Sequence, residues 1–207
     1  TADLLADLDV WAALAMCAVE YDWVCPQITN DFEFCVVGGR HPVIEAVLRR
    51  HGDNFVKNDC DLSVKKIALL TGPNMAGKST FMKAVSIALY LAQMGFPVPA
   101  SRIRFTPVDG IFTSINVPDD IAQGYSHFYA EVLRVKSIAQ RVAEGLNLFI
   151  IFDELFKGTN VKDAYDATLA VTDAYATHRN CLYIISTHIV EVGPALSEKC
   201  GNVQFRF

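Results

Sequence analysis

Ile67-Ala68-Leu69-Leu70-Thr71 runs directly into Gly72-Pro73-Asn74-Met75-Ala76-Gly77-Lys78-Ser79. The apolar run predicts a short buried strand, and the eight residues after it match G-x-x-x-x-G-K-[ST] in full. Helical spacing follows from Lys78 to Met94. Strand, glycine loop and helix in that order make a cradle for phosphate. The loop turns its backbone N–H groups inward, and the positive end of the helix faces the same point. Gly72 and Gly77 permit the tight turns and the close backbone approach. Lys78 is expected to neutralise the β- and γ-phosphates, and Ser79 to offer its hydroxyl to Mg²⁺. The stretch predicts a site for ATP or GTP.

Such a loop needs an acidic partner from elsewhere in the chain. Phe149-Ile150-Ile151-Phe152-Asp153-Glu154 supplies one. Its apolar residues predict a buried strand with Asp153 at the carboxyl end, where open α/β sheets bind their ligands. Asp153 is expected to hold Mg²⁺. Glu154, on the other side of the chain, is expected to orient and deprotonate an attacking water as the catalytic base. The plainer alternative for Glu154 is a cap on the next segment or a salt bridge. An apolar strand ending in Asp-Glu is a weak signal alone and a strong one downstream of a phosphate loop. A further buried strand, residues 181–186, leads into Ser186-Thr187-His188. His188 at that strand end is expected to reach a γ-phosphate as donor and sensor, the plainer alternative being a packed histidine.

Outward from these motifs, the pattern predicts helices over residues 3–20, 78–94, 128–144 and 162–178. Strands are predicted over 32–37, 67–71, 101–105, 109–115, 146–152 and 181–186. Residues 118–124 read as a loop, and His41 to Asp61 as a largely polar stretch. Strands apolar on both faces, alternating with helices, predict a mostly parallel sheet flanked by helices.

At 207 residues the chain can bury one good-sized core with a small appendage. Its 52% apolar and 20% charged content argues against disorder. The net charge of -5 shows no basic excess with which the chain would grip DNA by itself. Any nucleic acid should be held by other segments. The six cysteines, Cys17, Cys25, Cys35, Cys60, Cys181 and Cys200, form no Cys-x-x-Cys pair. They read as reduced structural thiols, which suggests a cytoplasmic setting. No signal peptide or apolar run of about 18 residues suggests export or membrane insertion. The chain opens at Thr1 inside a helical pattern, as a piece of a longer protein would.

Leu70 to Thr80 resembles the phosphate loop of the MutS family of DNA mismatch-repair ATPases, which reads Thr-Gly-Pro-Asn-Met-(Gly/Ala)-Gly-Lys-Ser-Thr. Further segments agree in order: Gly39-Arg40-His41-Pro42-Val43, Phe55-Val56-Lys57-Asn58-Asp59, Phe112-Thr113-Ser114-Ile115 with Asp119-Asp120-Ile121, Ser126-x-Phe128-x-x-Glu131, Asp153-Glu154 and Thr187-His188. The resemblance covers essentially the whole chain. It implies a P-loop NTPase of the ABC ATPase type over residues 31–207, with residues 1–30 as the end of a helical lever. It implies that Phe55 stacks on adenine, that Asn74 bonds the γ-phosphate side, and that Thr80 completes the loop.

It also implies a head-to-tail dimer with a second copy of the domain, in which Ser126 reaches the partner's nucleotide. ATP binding would close the dimer and hydrolysis reopen it, and the lever helices would pass the change to a DNA clamp outside this segment. Two departures stand out. Gly124-Tyr125-Ser126-His127-Phe128 replaces the usual Gly-Arg-Ser-Thr-Phe. Asp153-Glu154-Leu155-Phe156-Lys157-Gly158-Thr159-Asn160 replaces Asp-Glu-Ile-Gly-Arg-Gly-Thr-Ser. These resemble family members that lack the mismatch-reading domain. A transporter or chromosome-structure ATPase is disfavoured because no Leu-Ser-Gly-Gly-Gln signature occurs. A vestigial assembly module is disfavoured by the intact Lys78, Ser79, Asp153 and Glu154.

Overall fold

The computed structural model describes residues 2–73, 75–115 and 127–206. In chain order the elements are α1 (Ala2–Tyr21), β1 (Gln27–Ile28), β2 (Phe34–Gly39), α2 (Pro42–Arg50), β3 (Asn58–Asp61), β4 (Ile67–Leu70) and α3 (Lys78–Gln93). There follow β5 (Arg102–Phe105), β6 (Gly110–Ser114), α4 (His127–Ala143), β7 (Leu148–Phe152), α5 (Val161–Ala176), β8 (Cys181–Ser186), α6 (Val192–Lys199) and β9 (Val203–Arg206). They divide into two units, Thr1–Ser63 with Thr80–Pro107, and Val64–Ser79 with Val108–Phe207.

The second unit carries a five-stranded sheet in the order β6-β7-β8-β4-β9, parallel throughout. Every residue of β4, β7 and β8 is buried, so these three central strands are covered on both faces, as their unbroken apolar runs require. On one face Ile150, Phe152, Tyr183 and Ile185 meet Ile138 and Val142 of α4, Ala164 and Tyr175 of α5, and Val192 and Leu196 of α6. Tyr175 stacks on Tyr183 with ring centroids 4.9 Å apart, and on Phe152 at 6.1 Å. Its hydroxyl donates to Val135 O at 3.2 Å, and burial, then the adjacent Cys181, pushes its pKa up to about 12. The helix α5 starts where Asn160 accepts from Asp163 N–H at 3.0 Å, a side-chain N-cap.

The first unit holds a mixed sheet, β1-β5-β2-β3, in which β2 runs antiparallel to both neighbours. Arg40, only 3% exposed, closes the C-terminus of α1. Its Nη2 donates to Tyr21 O at 2.9 Å and to Asp22 O at 2.6 Å, and its Nε lies 3.2 Å from the Glu45 carboxylate. The guanidinium fork thus satisfies carbonyls that a helix end leaves open. The sequence reading of residues 41–61 as a polar stretch missed α2. Its signals are ordinary ones: His41 as cap, Pro42 at the first helical position, and Arg49 and Arg50 at the negative end. The elements α6 and β9 were also not foreseen. The single core with a small appendage becomes two units, each with its own sheet. The anticipated loop at 118–124 lies outside the described residues.

His41 Nδ1 accepts from Ile44 N–H at 3.4 Å, which requires that nitrogen to be unprotonated. Burial holds its pKa below the ordinary 6.5, only partly opposed by its own backbone hydrogen bond, and Lys83 lowers it further. The unfolded chain therefore takes up this proton more readily. The stability tied to a neutral His41 is complete above pH 6.5 and fades as pH falls through the lowered folded-state value. Thermal melts at pH 7.5 and pH 5 should show a smaller acid-induced drop in Tm for His41→Asn, which keeps a capping acceptor but cannot titrate. An equal drop in both proteins would remove His41 from the acid response.

Candidate functional site

The carboxyl ends of β7, β8 and β4 lie side by side in the parallel sheet, because these strands are adjacent and in register. Beyond Leu70 the chain passes the buried Thr71 and enters the glycine loop. Backbone φ is +139° at Gly72, +65° at Met75 and +93° at Gly77, and Met75 is fully exposed at the tip. Ala76 N–H donates to Pro73 O at 3.4 Å. The helix α3 begins at Lys78, so its open N–H end faces the loop that precedes it. Lys78 Nζ donates to Gly72 O at 2.7 Å and to Pro73 O at 3.0 Å. The ammonium is folded onto the loop's own carbonyls.

Ser79 Oγ donates to Asp153 Oδ2 at 2.9 Å, across 74 positions of sequence. Asp153 continues β7 by one residue, its N–H donating to Ser114 O at 3.0 Å. Its other oxygen, Oδ1, accepts from Ser186 Oγ at 2.7 Å. Ser186 Oγ in turn accepts from Glu154 N–H at 2.8 Å. One carboxylate is thus held from two sides by hydroxyls belonging to α3 and β8. Ser79 Oγ and Asp153 Oδ2 form a pair of hard oxygen donors. Among the described residues no group of three or more His, Cys, Asp or Glu could hold a metal by itself. A cation here would take its remaining ligands from water and from the ligand's own oxygens. Mg²⁺ suits that arrangement, since it is commonly held by one or two carboxylates together with phosphates.

The turn after Asp153 is left-handed at two non-glycine residues, Glu154 (φ +53°) and Phe156 (φ +61°). Such a conformation costs an L-residue about 1–2 kcal/mol. Phe156 stands where the resemblance has glycine, and the backbone there keeps the glycine-like conformation. The side chain explains how: it is 3% exposed and its ring centroid lies 5.7 Å from that of Phe128 at the start of α4. Full burial of a phenylalanine contributes roughly 1.5–3 kcal/mol, enough to offset the strain.

Lys78, Ser79, Asp153 and Glu154 are therefore neighbours in one network or one turn. His188 is exposed, two residues past the end of β8, and takes no part in these hydrogen bonds. The buried Thr187 beside it accepts from Ile189 N–H at 3.1 Å. Phe55 is half-buried in the irregular stretch between α2 and β3, in the first unit, and Thr80 lies on α3. Asn74 and Ser126 fall outside the described residues. Ser186 was missed as a site residue. Its signal was a hydroxyl ending an otherwise apolar strand, one strand away from the acidic pair.

Gly77 tests the loop's backbone requirement cleanly. A Cβ built there meets nothing within 4 Å, so Gly77→Ala introduces no clash and only the positive φ opposes it. Denaturant unfolding should show a loss of about 1–2 kcal/mol with an unchanged m-value. A variant as stable as the parent would mean that the loop does not need the left-handed turn.

Residues 68–206 match the family description MutS domain V. Proteins named DNA mismatch repair protein MutS are similar over most of the chain. The one from Rickettsia akari is 42% identical over 192 residues, 92% of this chain and 21% of the relative. That from Erythrobacter litoralis is 40% identical over 204 residues, 98% of this chain and 23% of the relative. That from Rickettsia prowazekii is 41% identical over 192 residues, 92% of this chain and 21% of the relative. The chain thus spans only about a fifth of the length of the curated relatives it matches. Among the described residues no helix is long and apolar enough to cross a membrane. The matched region takes in the glycine loop, the Asp153–Glu154 turn and the end of β8, and on this match the chain belongs to the MutS family, with residues 68–206 as its domain V.

Proposed function

We propose that this chain binds Mg²⁺-ATP and hydrolyses it to ADP and phosphate, as a P-loop NTPase of the ABC type. The observation that carries the reading is the 2.9 Å bond between Ser79 and Asp153, which unites the glycine loop with the acidic strand end. Two residues so far apart in sequence have no local reason to meet. A shared cation and phosphate group gives them one.

In this reading Lys78 exchanges its bonds to Gly72 O and Pro73 O for phosphate oxygens. The loop N–H groups and the α3 N-terminus hold the same anion. Ser79 and Asp153 hold Mg²⁺, which when bound neutralises charge on the β- and γ-phosphates. Glu154 takes a proton from the attacking water. His188, exposed two residues past the end of β8, serves the γ-phosphate as donor and sensor. Phe55 stacks on adenine, and Asn74 and Thr80 complete the loop contacts.

A second copy of the domain pairs head to tail and contributes Ser126 to the neighbouring site. ATP-driven closure then acts on DNA held by segments outside this chain, and the chain works in the cytoplasm. Such coupling requires ATP to bind the closed state better than the open one. The relatives' mismatch-repair role extends naturally to this chain. A second reading keeps the ATPase but acts on DNA without mismatch recognition. It is favoured by the departures from the family's usual runs, above all Tyr125 and Lys157 where arginines are usual.

Lys78→Ala should weaken ATP binding tenfold or more, as loss of charge-assisted phosphate bonds does. An affinity within twofold of the parent's, measured by titration calorimetry, would refute the loop's role. Glu154→Gln should bind ATP normally and turn it over about 10²–10⁴ times more slowly. Unchanged turnover in that variant would take Glu154 out of the chemistry.

A further inference from the structure

We infer that Ser186 is a positioning residue for hydrolysis, acting chiefly through the backbone of Glu154 while it also steadies the Asp153 carboxylate. The inference rests on the ATPase reading and deepens it. The Ser186 side chain is wholly buried at the end of β8. A serine hydroxyl has one proton to give, and here it goes to Asp153 Oδ1 at 2.7 Å. A lone pair on the same oxygen receives Glu154 N–H at 2.8 Å. The hydroxyl therefore sits between the expected cation ligand and the backbone of the expected base.

Each bond has a separate consequence. With Oδ1 engaged, the carboxylate of Asp153 cannot rotate freely, and Oδ2 stays turned to Ser79. A cation at Ser79 and Asp153 then meets one preset oxygen. The bond to Glu154 N–H acts on the strained turn. Glu154 is held at φ +53°, a conformation that relaxes unless its surroundings fix it. On the far side the buried Leu155 and Phe156 anchor the turn in the core. On the near side Ser186 is the side chain that holds it. The backbone direction at Glu154 sets where its carboxylate points, so losing this bond should misdirect the base. Tertiary pairing is what makes this possible: β7 and β8 are adjacent and parallel, with Phe152 opposite Ile185, so the residues just beyond them meet.

The test is steady-state ATP hydrolysis by the 207-residue chain at high protein concentration, over a range of ATP concentrations, for the parent, Ser186→Ala, Ser186→Thr and Glu154→Gln. Thermal melts confirm that each is folded. Ser186→Ala orphans one donor and one acceptor, and kcat should fall roughly tenfold. KM for ATP should stay within about twofold, because the phosphate cradle is untouched. Ser186→Thr keeps the hydroxyl and should recover most of kcat. Single-turnover measurements should show that adding Ser186→Ala to Glu154→Gln costs little more, since the base it positions is already gone.

An unchanged kcat in Ser186→Ala, beside a slowed Glu154→Gln, overturns the inference and leaves the ATPase reading intact. A full tenfold further loss in the Glu154→Gln background also overturns it, since Ser186 would then act independently of the base. A parent chain with neither Mg²⁺-dependent ATP binding nor turnover overturns the ATPase reading, and the inference with it.

Discussion

The arrangement at the strand ends depends on a single carboxylate. Asp153 accepts from Ser79 on one oxygen and from Ser186 on the other. It thereby joins the first turn of α3, the end of β7 and the end of β8. The parallel sheet makes the meeting possible. In an antiparallel pair the ends of neighbouring strands alternate in direction, and residues leaving β7 and β8 would emerge on opposite sides. Here β7, β8 and β4 all deliver their carboxyl ends to the same edge, the edge at which α/β proteins gather their ligands.

Around that point the backbone is held in conformations that few residues accept. Gly72 and Gly77 absorb positive φ without cost to a side chain, but Met75, Glu154 and Phe156 do not have that freedom. Met75 carries its strain in solvent. Phe156 carries it in the core, offset by burial and by its contact with Phe128. Glu154 lies between Ser186 and this buried anchor, so the surroundings fix its backbone from two directions. Strain maintained in this way is characteristic of sites whose geometry is set before a ligand arrives.

In the first unit a different charge has a comparable role. Arg40 is buried against the last carbonyls of α1 and the carboxylate of Glu45, which Arg49 shares at 3.1 Å. Leu4, Leu5, Leu8 and Trp11 leave an apolar face of α1 exposed, and no residue of the helix is buried. The register of that helix against its own unit is therefore fixed at its C-terminus rather than along its length.

Much of this was legible in the sequence. The strand, glycine loop and helix around Lys78, the acidic pair after an apolar strand, and the parallel sheet all follow from local periodicity and from residue chemistry. These are short-range properties that the chain carries wherever it folds. The helix α2 was legible too, in His41, Pro42 and the paired arginines, although the polar composition of the stretch hid it. What tertiary structure alone decided was which distant atoms meet. No spacing rule identifies Ser186 as the partner of Asp153 and Glu154, because that contact depends on the order in which strands pair. Nor does sequence reveal that Phe156 keeps a glycine's backbone, since only a packed core can supply the burial that offsets its strain. Local pattern determined which elements form and what chemistry they carry. Strand adjacency and core packing determined which side chains act on one another.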